Sequence, residues 1–244
     1  MKFLKSHPFA VEAFFESSLV VTYAVPKNQL LKFIPECLEL DTFKDEWGFV
    51  AVAMVQTKGL RPKGFPKFMG QDFFLIGYRA FVRFHNNAGK RLRGLYILKS
   101  ETDKKFMQFF GNIFTHYQYS TTDIQKIRSG AEETLSSEHS NFKLTIDRGS
   151  HTTELPEGSP FATWKEARRY AGPLPFTFTY SKEDHNVLII EGVRKNWEPV
   201  PIAIKHHDFE FLNNLGLNNA VLANAFEITN IPYYWKKGKL ETWN

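Results

Sequence analysis

Two adjacent lysines, Lys104 and Lys105, stand in the run SETDKKFMQFFGNIF, Ser100 to Phe114, where a helix begins. With Thr102 or Asp103 as the N-cap, both fall in the first turn, where unpaired backbone N–H groups and the macrodipole already present positive charge. An ammonium is disfavoured there. A second ammonium next door and burial against a Phe-rich face push in the same direction, toward the free amine. A free amine condenses with a carbonyl compound to a Schiff base. The competing reading is that both amines are hydrated on the outer face of the helix, and spacing alone leaves the two open.

Other residues fit the recognition of a small organic acid. Arg61 lies in RPKGFPKFMGQ, a loop dense in Gly and Pro that would fix its guanidinium to grip a carboxylate with two parallel bonds. Otherwise it is a solvated loop arginine. Tyr23, Tyr78 and Tyr96 sit in Phe-rich strands and are candidate walls of a largely apolar pocket with a few polar anchors. His206 and His207 are a poor chelating pair, since neighbours in a strand point to opposite faces. Cys37 is the only cysteine, so neither an intrachain disulfide nor a thiolate zinc cluster can form, which suits a reducing, cytoplasmic setting. No GxGxxG follows a strand, and neither GxxxxGK[ST] nor GxSxG occurs. No metal and no cofactor is expected.

The elements that must position these residues are mostly strands. The 244 residues, 43% hydrophobic with 24 Phe, suffice for one sizeable core, so residues 1–244 read as a single domain. The net charge is +5, but the 31 Lys and Arg are spread among 26 acids, and the densest cluster, GKRLRG (Gly89 to Gly94), reads as a hairpin turn. That distribution argues against a nucleic-acid footprint, though the cluster could meet an acidic protein partner. No window reaches the roughly 18 to 20 apolar residues of a membrane span, and no apolar core of a signal peptide follows the first lysines.

Along the chain, SLVVTYAV (Ser18 to Val25) is a β-branched strand. PKNQLLKFIP is a short helix between prolines, LELDTF alternates as a strand, and GFVAVAMVQTKGL is apolar enough for a buried one. A hairpin turns at NNAGK. From Asp103 to Tyr117 the spacing of Phe106, Met107, Phe110, Ile113 and Phe114 predicts an amphipathic helix. The polar stretch 121–140 reads as an edge strand plus loop, and NFKLTIDRG as a strand. SPFATWKEARRYAGP reads as a helix capped by Ser159 and stopped by Gly172 and Pro173, followed by a hairpin around KEDH. The pattern is α+β and β-rich: an antiparallel-rich α+β protein or a β-barrel, with two or three packed helices. Any unpaired sheet edge would permit a homo-oligomer.

The segment VVTYAVPKNQLLKFIPECLELD, with its Pro35, Leu38, Glu39, Leu40 and Asp41, resembles the first strand, helix and strand of the acetoacetate decarboxylase-like superfamily. LVVTYAVP, LELDTF, GFVAVAMVQTKGLRPKGFP and EPVPIAI resemble its YqjF-like branch. The resemblance implies a β-rich barrel or cone around an apolar cavity. An ungapped match over LYILKSETDKK implies Lys104 as the imine-forming nucleophile and Lys105 as its activating neighbour. The family also uses an arginine and a glutamate, whose positions fall near Glu16 and near Gly64 or Phe65 here, so both side chains are absent. Two functions follow as expectations. One is an enzyme of the Schiff-base lyase or decarboxylase type acting on a small carbonyl or keto-acid compound; the other is a non-catalytic protein binding a small molecule in the same cavity.

Overall fold

The computed structural model describes residues 2–150, 153–171, 174–195 and 197–243. Its first half runs α1 (Lys2–Lys5), β1 (Val11–Pro26), α2 (Lys27–Leu31), β2 (Glu39–Leu40), β3 (Trp47–Pro62), β4 (Gln71–His85), β5 (Arg91–Thr102) and α3 (Lys105–Phe114). Short strands follow: β6 (Tyr119–Thr121), β7 (Gln125–Ser129), β8 (Glu132–Ser137) and β9 (Phe142–Asp147). The second half holds α4 (Trp164–Ala171), β10 (Phe176–Ser181), β11 (Asn186–Arg194), β12 (Val200–Pro201), β13 (Ala203–Phe209), α5 (Glu210–Asn214), β14 (Val221–Trp235) and β15 (Lys239–Thr242).

The large sheet closes on itself. Strands β14, β1, β3, β4, β5, β10 and β11 are neighbours in that order, and β11 pairs back onto β14 through Gly192–Trp235, Val193–Tyr234 and Arg194–Tyr233. All these pairings are antiparallel except that of β5 with β10. Closure removes the exposed edges that an open sheet would carry. A second, four-stranded sheet in the order β13, β9, β8, β7 lies over part of the outer wall.

Two-sided burial explains why β3 is apolar from Trp47 to Val55. Phe49, Ala51, Ala53 and Val55 belong to the core inside the barrel. Val50, Val52 and Met54 face outward, in one cluster with Leu135, Leu144 and Ile146 of the second sheet. Successive strand residues point to opposite faces, so a strand covered on both sides shows no polar alternation.

The α+β, β-rich barrel is as expected, and the differences are local. Strand β1 begins at Val11 rather than Ser18 and passes through register shifts near Phe14 and Ser17 against β3. The polar stretch 121–140 is a true hairpin, β7 on β8, turned at Gly130 with φ +60°. LELDTF yields only a two-residue strand. Its Asp41 is buried, accepts a bond from Arg93 Nε at 2.7 Å and pairs with Arg83, so an acid ends the motif to hold two arginines. Helix α4 starts at Trp164, with Thr163 as its cap: Glu166 N–H donates to Thr163 Oγ1 at 3.2 Å, and Glu166 Oε2 accepts from Ala162 N–H at 2.8 Å. Ser159, the expected cap, donates instead to the Ala223 carbonyl at 2.8 Å, and Gly172 and Pro173 lie outside the described residues.

Candidate functional site

The barrel is not filled. A cavity of about 710 Å³ lies within it, walled by small and apolar side chains such as Val20, Ala51, Ala53, Val55 and Phe81. Paired alanines on the inward face of β3 leave the space that larger residues would occupy. The cavity opens between the loop 61–71 and α3, where Phe65, Met69 and Phe110 line it and are exposed. A concave, mostly apolar site of this size suits a small organic molecule.

Among its polar lining residues are three arginines, Arg61, Arg79 and Arg194. Strands β4 and β5 shift register between Tyr78 and Arg79, and odd residues of β4 (Phe73, Leu75, Phe81) point inward, so Arg79 points inward too and lines the cavity. Only part of its surface is accessible, and it lies deep in the protein, so that surface belongs to the cavity. Burial lowers the pKa of the guanidinium, while Tyr233, Tyr119 and Tyr117 favour its charge. Among the described residues no carboxylate pairs with it, and its Nε has no hydrogen-bond partner. The side chain folds back over Gly77, where a Cβ would sit 2.7 Å from that Nε, so glycine is required for this pose.

Arg194, at the end of β11, lines the same cavity. It donates to the Tyr233 hydroxyl at 3.2 Å and its guanidinium carbon stands 4.4 Å over the Trp197 ring, a cation–π contact. Burial lowers its pKa, and the positive charge of Arg79 lowers it further against the opposing effect of Tyr233. Gly192 leaves room for the Tyr233 hydroxyl, which a Cβ there would strike. Burial pushes the Tyr119 phenol up to about 12, against the lowering effect of Arg79. Burial raises Tyr117 as well. These phenols stay protonated at neutral pH and do not supply the missing negative charge. Trp197 Nε1 and His7 Nδ1, on residues that also line the cavity, have no hydrogen-bond partner among the described residues.

The residues singled out from sequence are scattered. Arg61 lines the cavity, but its guanidinium is engaged: NH2 meets Glu12 Oε1 at 2.6 Å, Nε donates to the Phe65 carbonyl and NH1 to that of Gly59. It staples the loop. Tyr23 and Tyr78 are on the outer face of the barrel wall, under the second sheet, because inward and outward positions alternate and theirs face out. Tyr23 bonds His207 Nδ1 at 2.9 Å, and Tyr78 donates to Glu101 Oε2 at 3.3 Å. Tyr96 lines a different depression of about 490 Å³, with Lys5, Asn112 and His116. Lys104 and Lys105 are exposed, and neither lines the large cavity. Lys104 is itself the N-cap of α3, half exposed at 49%, with Nζ 3.4 Å from Asp103 Oδ2. Asp103 does not cap the helix: its Oδ1 accepts the Phe74 N–H at 2.7 Å. The structure therefore brings Arg61 to the cavity and leaves the lysine pair and the three tyrosines outside it.

Arg79 and Arg194 were not singled out by sequence reasoning. A signal existed for the first: it is the one charged residue within FFLIGYRAFV, a run apolar on both faces.

A model of the DUF2071 family, described as an uncharacterized conserved protein, matches residues 13–232. The chain belongs to this family. No curated protein matches it in sequence. DUF2071 is here seen in an acetoacetate decarboxylase-like fold, since three solved structures align along most of their length. Acetoacetate decarboxylase from Legionella pneumophila aligns with a TM-score of 0.60 at 11% identity, over 96% of this chain and 88% of that one. An acetoacetate decarboxylase-like enzyme from Sphingomonas wittichii RW1 gives 0.58 at 10%, over 99% and 94%. The enduracididine biosynthesis enzyme MppR, complexed with pyruvate, gives 0.56 at 11%, over 96% and 90%. At these identities the likeness establishes the fold and not the chemistry. Among the described residues no cluster of His, Cys, Asp and Glu is arranged to hold a metal ion, and no helix is long and apolar enough to cross a membrane.

Proposed function

We propose that this DUF2071 protein binds a small carbonyl or keto-acid compound inside the barrel and holds it without a covalent bond to Lys104. The observation that carries the reading is the cavity of about 710 Å³ with an apolar wall, from whose lining Lys104 is absent. The pyruvate complex of MppR, a protein of the same fold, supports the ligand class. Against an imine stands the setting of Lys104, whose ammonium is half in solvent beside Asp103. An amine outside the cavity cannot reach a carbonyl held inside it to condense with it.

Thermal shift with phenylpyruvate, acetoacetate and pyruvate, followed by borohydride reduction and mass spectrometry, tests the proposal. A ligand at about 100 times its Kd stabilises by roughly 2.7 kcal/mol, which moves the melting temperature of a chain this size by about 5 to 10 °C. The expected result is a shift with at least one compound, its loss when Ala53→Trp fills the cavity, and no reduced adduct on Lys104. An adduct on Lys104 that vanishes in Lys104→Ala would replace this reading with imine chemistry.

A further inference from the structure

We infer that the cavity selects an organic monocarboxylate, whose two oxygens are taken by Arg79 and Arg194 while its apolar body lies along the barrel wall. The inference rests on the cavity being the ligand site and adds what the ligand must carry.

Charge accounting is the first argument. Arg61 has Glu12, Arg83 and Arg93 share Asp41, and Arg148 has Glu133 and Glu227. Arg79 and Arg194 feel each other's charge inside one cavity, and neither has an acid partner among the described residues. Uncompensated cations held away from bulk water are costly, and a fold keeps them where a ligand supplies the opposite charge. Arginine is also the side chain whose planar fork matches two carboxylate oxygens.

Geometry is the second argument. Gly77 and Gly192 stand where a Cβ would collide with Arg79 and with the Tyr233 hydroxyl that holds Arg194. The polar end is therefore built into the strands and is no accident of flexible surface chains. The rest of the wall is mostly apolar, with Val20, Ala51, Ala53, Val55 and Phe81 beside uncharged hydroxyls such as Ser18, Thr57 and Ser100, and its other arginine, Arg61, is already paired with Glu12. A dianion or a nucleotide would strand polar groups on that wall, whereas an apolar body gains from burial.

Matched ligands that differ only in charge separate this claim from the general one. Isothermal titration would use 4-phenylbutanoate against 4-phenylbutanamide and decanoate against decanamide, on wild type, Arg79→Met, Arg194→Met and the milder Arg79→Gln. Each protein is first checked for an unchanged circular dichroism spectrum and a cooperative melt. Charge-assisted bonds predict the acids to bind about 10 to 100 times more tightly than the amides. In each arginine variant the acid should weaken to the level of its amide, with the amide little changed. Equal binding of acid and amide, or an acid preference surviving both Met variants, overturns the inference while leaving the cavity as a binding site. Tighter binding of 2-phenylethyl phosphate than of either acid overturns the carboxylate assignment. Failure of all these compounds to bind wild type sinks both the inference and the cavity reading.

Discussion

Two arginines on opposite sides of the same barrel wall show what a partner does to a guanidinium. Arg148, after β9, spans the joint between the second sheet and the barrel: Nε and NH2 donate to Glu133 at 2.9 and 3.0 Å, and NH1 and NH2 to Glu227 at 2.6 and 2.9 Å. Those bonds raise its pKa well above the ordinary value despite burial. Arg79, inside, has no such partner among the described residues, and burial lowers its pKa. The side chains are chemically identical, so the difference lies in what surrounds them. One arginine is complete within the fold; the other lacks an anion.

The comparison is most forcefully broken at Arg148. In Arg148→Met the two acids remain, with Glu133 only 4% and Glu227 14% exposed, and only Lys126, 3.2 Å from Glu133 Oε1, is left to offset their charge. For Glu133, burial alone would raise the pKa, and the bonds from Arg148 and Lys126 more than reverse it. Removing one member of a buried network costs about 3 to 5 kcal/mol; partial exposure of Arg148 brings the expectation to about 3. Urea denaturation at pH 7 measures it. A loss below about 1 kcal/mol would mean that the second sheet is held by its apolar contacts alone.

Arg79→Met should have the opposite sign and a smaller size. Replacing an unpaired guanidinium by an apolar side chain of similar length removes a desolvation penalty, and the unliganded protein should gain about 1 to 2 kcal/mol, read as a rise of a few degrees in melting temperature. Stability given up for function is common at binding sites. A variant that melts lower than wild type would reveal that Arg79 supports the fold from within, and the contrast with Arg148 would collapse.

Much of the scaffold was legible because strands, turns and the α3 stripe leave periodic marks. The apolar run of β3, the NNAGK and KEDH hairpins and the Phe-rich helix are all where residue spacing puts them. The site was far less so. Arg79 keeps the inward parity of Phe73, Leu75 and Phe81, but a strand covered on both faces has no polar alternation from which to read which parity faces in. For the same reason Tyr23 and Tyr78 could not be told from cavity residues, although they face the second sheet. Arg194 shares the cavity with Arg79 because β11 closes onto β14, a pairing between segments with no sequence mark of their mutual contact. The cap of α3 is Lys104, one residue beyond Asp103, because Asp103, a good cap by type, bonds the β4 backbone instead.

The smallest effect concerns a cation that the cavity wall refuses. His7 is 8% exposed, lines the cavity and has an Nδ1 with no partner among the described residues. Burial lowers its pKa below 6.5, against the raising effect of backbone bonds from His7 itself and from Lys236. The unfolded chain therefore binds a proton at a higher pH than the folded one. Stability from this residue is complete above about pH 6.5 and falls as pH drops toward the folded pKa, with a slope of at most one proton, or about 1.4 kcal/mol per pH unit. Asparagine tolerates the positive φ of 54° at this position and does not titrate, so His7→Asn should flatten the melting temperature between pH 6.5 and 5. His207, whose pKa is lowered by burial and by His206 but raised by Asp208, contributes a second slope from the outer face, and His207→Asn separates the two. If His7→Asn leaves the acid slope intact while His207→Asn removes it, the acid-sensitive site is the joint between the sheets, and the cavity wall accepts a third positive charge as readily as it holds the first two.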